Sequence, residues 1–135
     1  MTSPPIIYVD TSALAALLID QPESQALLDW LDNASATLVS SDLLETELRR
    51  IVVREGLDQS YATALLDGIA LAALDRAVYR NAGFLPMPYL RTLDALHLEA
   101  AIRLDAGAVL TYDRRLTEAA RAAGIEVIAP GSAEM

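Results

Sequence analysis

The chain has 135 residues, 53% of them hydrophobic, and a formal net charge of −9, enough for one core and readable as one domain over residues 1–135. With no cysteine, disulfides, thiolate metal ligands and a cysteine nucleophile are excluded. The acidity argues against a generic nucleic-acid binder, because phosphate neutralisation by basic side chains supplies most non-specific affinity.

Clustered carboxylates that hold cations are compatible with a nuclease all the same, since bound ions reverse the local sign. All ten basic residues are arginine. Composition bias in a GC-rich genome explains this, and guanidinium forks also suit phosphate contacts. No apolar stretch reaches eighteen residues and no cleavable signal opens the chain, so a cytoplasmic protein with no membrane association is expected.

The apolar run Ile6-Ile7-Tyr8-Val9 predicts a strand ending at Asp10. Thr11 and Ser12 then offer hydroxyl caps for a helix over Ala13 to Leu18. Pro22 and Glu23 start a second helix, with Ala26, Leu27, Trp30 and Leu31 at helical spacing. Ala36 to Ser40 reads as a second strand. Ser41 or Asp42 caps the following helix, which carries Leu44, Leu48, Ile51 and Val52 and ends at Gly56.

Asp58 to Leu66 predicts a helix with Tyr61, Leu65 and Leu66 toward the core, and Ile69 to Leu71 a short strand. Ala77 to Asn81 is a helix stopped by Gly83, and Pro86 and Pro88 form a connection that no helix crosses. Thr92 caps Leu93 to Leu104. Gly107 to Thr111 is a strand closing on Asp113, Arg115 to Ala123 a helix ended by Gly124, and Ile125 to Ile128 the last strand. Alternating strands and helices imply an α/β fold with a mainly parallel sheet covered on both faces.

Four carboxylates fall where these elements meet one sheet edge. Asp10 and Asp113 each follow an apolar strand, the edge where open α/β sheets place their chemistry. A helix cap explains either residue alone, but the placement occurs twice. Asp94 lies in the first turn of the helix after Thr92, where the helix dipole favours an acid even without function. Leu93, Leu96, Ala100 and Leu104 mark a buried stripe there, and Asp94, His97 and Ala101 a flank beside it.

Glu45 and Glu47 compete for the fourth position. Glu45 has Arg49 at i+4, the favourable order for a surface ion pair. Glu47 has Arg50 and Arg54 on its own face, a better setting for a site that meets phosphate, and is chosen. Carboxylate and water oxygens suit Mg2+ or Mn2+, and the multiple imidazole ligands of zinc are missing. Two such ions activate water and stabilise the leaving oxygen in phosphodiester displacement.

His97 reads as a packed, hydrogen-bonded residue or as an acid or ligand. Thr11, Ser12 and Thr111 either orient water or phosphate or merely cap turns. Arg114 and Arg115 either contact RNA or keep the surface soluble.

The segments Tyr8 to Leu14, Ser41 to Arg49, Arg91 to Leu98 and Leu110 to Leu116 resemble the successive motifs of PIN-domain ribonucleases, most of all the VapC-type toxins of toxin–antitoxin pairs. The resemblance runs from Tyr8 to Pro130. It implies a three-layer α/β/α sandwich and a Mg2+- or Mn2+-dependent endoribonuclease with Asp10, Glu47, Asp94 and Asp113 as its site. It further implies a small cognate antitoxin, a homodimer involving the Asp94 helix and the first helices, and tRNA or rRNA as substrate.

Receiver domains and haloacid-dehalogenase-type phosphatases also place an Asp after the first strand, but they use a lysine, which this chain lacks. No glycine-rich loop follows the first strand, which removes P-loop and dinucleotide roles. The surviving alternative is a PIN-like module that binds RNA or protein without cutting it.

Overall fold

The computed structural model describes residues 3–132. In chain order the described elements are β1 (Ile6–Val9), α1 (Thr11–Leu18), α2 (Ser24–Asn33), β2 (Thr37–Ser41), α3 (Asp42–Arg54) and α4 (Gln59–Leu66). There follow β3 (Ala70–Ala72), α5 (Arg76–Ala82), α6 (Thr92–Arg103), β4 (Ala108–Leu110), α7 (Arg114–Ala122) and β5 (Glu126–Ile128).

The five strands form one parallel sheet in the order β3-β2-β1-β4-β5. Successive side chains of a strand point to opposite faces. Ile7 and Val9 of β1 accordingly join a core with Leu14, Leu27, Leu44, Leu48, Val52 and Leu66, drawn from α1 to α4. Tyr8 points the other way and packs with Leu98, Ala101, Leu116 and Ala120 of α6 and α7. α5 lies against α6 through Val78, Ala82 and Leu96. These layers make the α/β/α sandwich.

Strand order runs outward from β1 to β3 on one side, then crosses to β4 and β5 on the other. The switch falls between β1 and β4, and in such sheets the crevice outside the strands' carboxyl ends is the ligand position. α1, α3 and α7 each leave a strand at that edge. α6 leads down into β4, so its first turn lies at the edge too.

α3 ends on Gly56 at φ 66°, with Leu57 N–H donating to Val52 O at 3.0 Å and Gly56 N–H to Val53 O at 3.2 Å. This double bond pattern needs a left-handed residue, which glycine adopts without a Cβ penalty. α6 ends the same way, but the left-handed residue is Asp105 at φ 54°. Ala106 N–H donates to Ala101 O and Asp105 N–H to Ile102 O, both at 3.0 Å.

Three expectations require correction. Tyr61 is 58% exposed rather than turned to the core. Leu93 is 48% exposed, while the supposed flank is covered: every residue from Leu96 to Ala101 is buried. α6 is enclosed by the sheet, α5 and α7, so an amphipathic stripe underestimates its coverage. Finally, Arg91 rather than Thr92 holds the cap position of α6, without a side-chain bond. No described helix is long and apolar enough to cross a membrane.

Candidate functional site

Asp10 follows β1 and caps α1. Its Oδ2 accepts from Ser12 N–H at 3.3 Å, Ser12 Oγ at 2.7 Å and Thr111 Oγ1 at 2.8 Å. The last bond ties the end of β1 to the segment after β4. Because each hydroxyl has one proton and both protons go to Asp10, Ser12 and Thr111 are left as acceptors. Tyr112 N–H donates to Ser12 Oγ and Asp113 N–H to Thr111 Oγ1. Ser12 and Thr111 therefore hold Asp10 still and shape the turn into α7 together.

Asp113 caps α7, its Oδ1 accepting from Leu116 N–H at 2.8 Å. The cap roles allowed for Asp10 and Asp113 are thus real, and the caps expected from Thr11 and Ser12 give way to the acid before them. Each cap engages one oxygen of the carboxylate. Oδ1 of Asp10 stands 3.9 Å from Nε2 of His97.

Glu47 projects from the second turn of α3. Its Oε1 accepts from Thr11 Oγ1 at 2.8 Å and meets His97 Nε2. Glu45 is engaged elsewhere, paired with Arg49 at 2.8 Å on the helix surface; of the two acids, Glu47 is the one that meets Thr11 and His97. Burial alone would raise Glu47, but the hydrogen bond and charge of His97, with the Thr11 bond, lower it below the usual carboxylate range.

Asp94 has no hydrogen bond or ion pair among the described residues. Its carboxyl is pushed up to about 6, by burial first and then by the charges of Asp113 and Asp10, with Glu47 adding and His97 opposing. Asp113, Asp10 and Glu47 are thus close enough to act on Asp94 through their charges. As the side chains stand, no three His, Asp or Glu among the described residues are set to grip one ion. The donor set nevertheless suits a hard cation: all oxygen, mutually repelling, with Asp94 half-buried and unpartnered.

The sequence signalled the acids better than what holds them. His97 is 1% exposed. Its Nδ1 lies 2.7 Å from the Tyr8 hydroxyl, which donates to Ser41 Oγ at 2.9 Å. With that single phenolic proton directed to Ser41, Nδ1 donates to Tyr8, and Nε2 donates to the acceptor-only carboxylate of Glu47. Burial disfavours the resulting imidazolium, yet Glu47, Asp10 and Asp94 outweigh it and raise His97 above its ordinary value.

Burial pushes the Tyr8 phenol up to about 12, so it stays protonated. The one available signal was a tyrosine within an aliphatic strand, since a buried tyrosine hydroxyl needs a polar partner, and Ser40 and Ser41 end the adjacent strand.

Thr11 and Glu47 open onto a groove of about 590 Å³ running along α3 toward Arg50 and Arg54. Arg114 and Arg115 are exposed in the first turn of α7. A separate cavity of about 310 Å³ between α5 and α6, lined by Tyr79, Met87 and Leu96 among others, contains none of the four acids.

A PIN domain match spans residues 7–122. Ribonuclease VapC35 of Mycobacterium tuberculosis is 39% identical over 136 residues, covering 95% of this chain and 99% of the relative. Ribonuclease VapC46 of the same species is 40% identical over 127 residues, covering 92% and 97%. Among solved structures, Mycobacterium tuberculosis VapC20, described as a sarcin-ricin loop cleaving toxin, is similar with a TM-score of 0.75 at 15% identity, covering 92% of this chain and 99% of that one. FitAcB from Neisseria gonorrhoeae gives 0.65 at 22% identity, covering 92% and 97%. The two structural likenesses speak for the fold.

Proposed function

Because the chain belongs to the PIN-domain family, in its VapC branch, we propose that it is an endoribonuclease, the toxin of a toxin–antitoxin pair, whose Asp10, Glu47, Asp94 and Asp113 hold Mg2+ or Mn2+. The observation that carries this reading is the gathering of four acids at the β1/β4 switch, with Asp94 half-buried, unpartnered and raised first by burial and then by its acidic neighbours. Repulsion of that kind is relieved when a cation is shared. Bound there, the ions supply charge neutralisation at the phosphate and activation of water.

The chain's own residues do the positioning. Ser12 and Thr111 fix Asp10 through Oδ2, and Thr11 and His97 fix Glu47 through Oε1. Arg114 and Arg115, at the helix start that Asp113 caps, contact the RNA backbone. A cation in a first helical turn is opposed by the dipole, so helix stability does not account for Arg115 there, and an anionic ligand would.

The substrate is RNA of the tRNA or rRNA class. A small cognate antitoxin covers the site, and the chain works as a homodimer. Solved complexes such as the toxin–antitoxin complex from Klebsiella pneumoniae, similar in fold at a TM-score of 0.66, support the partner.

The test is incubation of the purified protein with total RNA in Mg2+, Mn2+ or EDTA, followed by mapping of new 5′ ends. Discrete ends that need metal and vanish with Asp10→Asn are expected. Metal-independent ends, or equal cleavage by the variant, would overturn the assignment of the acids, and absence of cleavage would leave a binding module.

A further inference from the structure

α3 has two working faces. Leu44, Leu48 and Val52 are fully buried in the core, while Leu43, Glu47, Arg50, Ile51 and Arg54 recur at i+3 and i+4 spacing down a second stripe. That stripe lines the groove that opens at Thr11 and Glu47, and Leu93 of α6 lines it too, 48% exposed. At about 590 Å³ the groove lies within the roughly 300 to 1,000 Å³ typical of ligand pockets.

The two guanidiniums of the stripe are not used by the fold. Arg49, their neighbour, donates to Glu45, Gln59 and Thr63. Arg50 is exposed and has no hydrogen bond or ion pair among the described residues. Arg54 is 65% exposed on its side chain and, among the described residues, its side chain meets Glu55 alone, at 3.9 Å. Like charges at i, i+4 repel, and Glu47, the acid on their face, is committed to Thr11 and His97.

We propose that this groove is the track of the single-stranded RNA segment flanking the cleaved bond, with Arg50 and Arg54 on successive phosphates and a base against Leu43, Ile51 and Leu93. This rests on the nuclease reading and adds to it a subsite on α3. The two arginines are one helical turn apart, about 6 Å along the axis, a spacing suited to neighbouring phosphates of an extended strand. Apolar surface beside cationic forks is what an unpaired strand offers partners for, since its bases are free to leave solvent and its phosphates carry charge. A duplex hides its bases and would leave the apolar wall uncovered.

The test measures binding of a fluorescein-labelled, unstructured 20-nucleotide RNA of mixed sequence by anisotropy from low to moderate salt. Binding is measured in the Asp10→Asn background so that the probe survives. Adding Arg50→Ala and Arg54→Ala together should weaken binding about tenfold or more at low salt and flatten the slope of log affinity against log salt by about 1.4, or 0.7 per lost phosphate contact. Arg80→Ala on α5, outside the groove, should change neither.

With Asp10 restored, the double arginine variant should raise KM for the same RNA. Unchanged affinity and slope in a protein that still cuts RNA overturn the track alone. The same holds if the variant binds RNA normally but loses a co-expressed protein partner, which would make the groove a protein dock. A parent chain that neither binds nor cuts RNA overturns the nuclease reading itself.

Discussion

His97 and Glu47 stand fifty positions apart in the chain, yet Nε2 of one rests on Oε1 of the other. The imidazole is itself fixed from behind by Tyr8, so the direction of the Glu47 carboxylate is determined on the far side of the sheet's central strand.

Replacing His97 by Gln should therefore do more than loosen the core. We expect Mn2+ affinity, measured by calorimetry, to fall about 10- to 100-fold, the range seen when a residue orienting a metal ligand is lost. Tyr8→Phe should move affinity the same way by less, because the ring still packs on His97. Unaltered metal affinity in His97→Gln would reduce the histidine to a packing role.

Asp94→Asn should separate stability from activity. The folded carboxyl is raised from 3.8 to about 6; below the lower value Asp94 is protonated in folded and unfolded chains alike and the substitution changes little. As pH rises through about 6 the folded acid ionises among its neighbours, and the stability associated with its retained proton is lost. In EDTA the Asn variant should thus melt with wild type near pH 4 and above it near pH 7, by an amount equivalent to about 1 kcal/mol after discounting for partial exposure. Cleavage should be lost. A melting difference that shrinks with pH would contradict the placement of the acids.

Glu47→Gln and Glu45→Gln should diverge sharply. The first removes an ionised oxygen donor from the cluster and is expected to cut cleavage by at least about 10- to 100-fold. The second breaks a half-exposed pair with Arg49, worth about 0.2 to 0.5 kcal/mol, and should leave kcat near wild type. Single-turnover kinetics on one RNA would decide between them.

Asp105→Gly should stabilise the protein. The left-handed conformation costs an L-residue roughly 1 to 2 kcal/mol, partly offset by the greater freedom glycine has when unfolded, and at φ 54° Asp105 bears that strain. A gain of about 0.5 to 1 kcal/mol in urea unfolding is expected, with RNA cleavage unchanged. Destabilisation would mean that the Asp105 side chain does something the backbone account omits.

The sequence disclosed the order of elements and the sheet edge, because aliphatic runs ending in Asp10 and leading to Asp113 are local signals. The Glu45–Arg49 pair was legible for the same reason, since the two lie within one helical turn. What escaped were relationships across layers. A packed, hydrogen-bonded His97 was legible, but not that its partners are Tyr8 of β1 and Glu47 of α3. The coverage of α6 depends on α5 and α7 together, which no helical period reveals. Tyr61 was misplaced because α4 buries Ala62 and Leu66 instead. Of the loose termini that the sequence marks at Pro4-Pro5 and Gly131 to Met135, residues 133–135 lie outside the described residues.

The bond from Thr111 to Asp10 spans 101 positions, and it has a consequence for synthesis. A ribosome delivers β1 and its attached helix early, but β4, which must pair beside it, emerges only after some hundred further residues. Until then the growing polypeptide lacks the last acid and the hydroxyl that steadies the first. If the protein severs RNA as proposed, truncated translation products are harmless to the machinery that makes them.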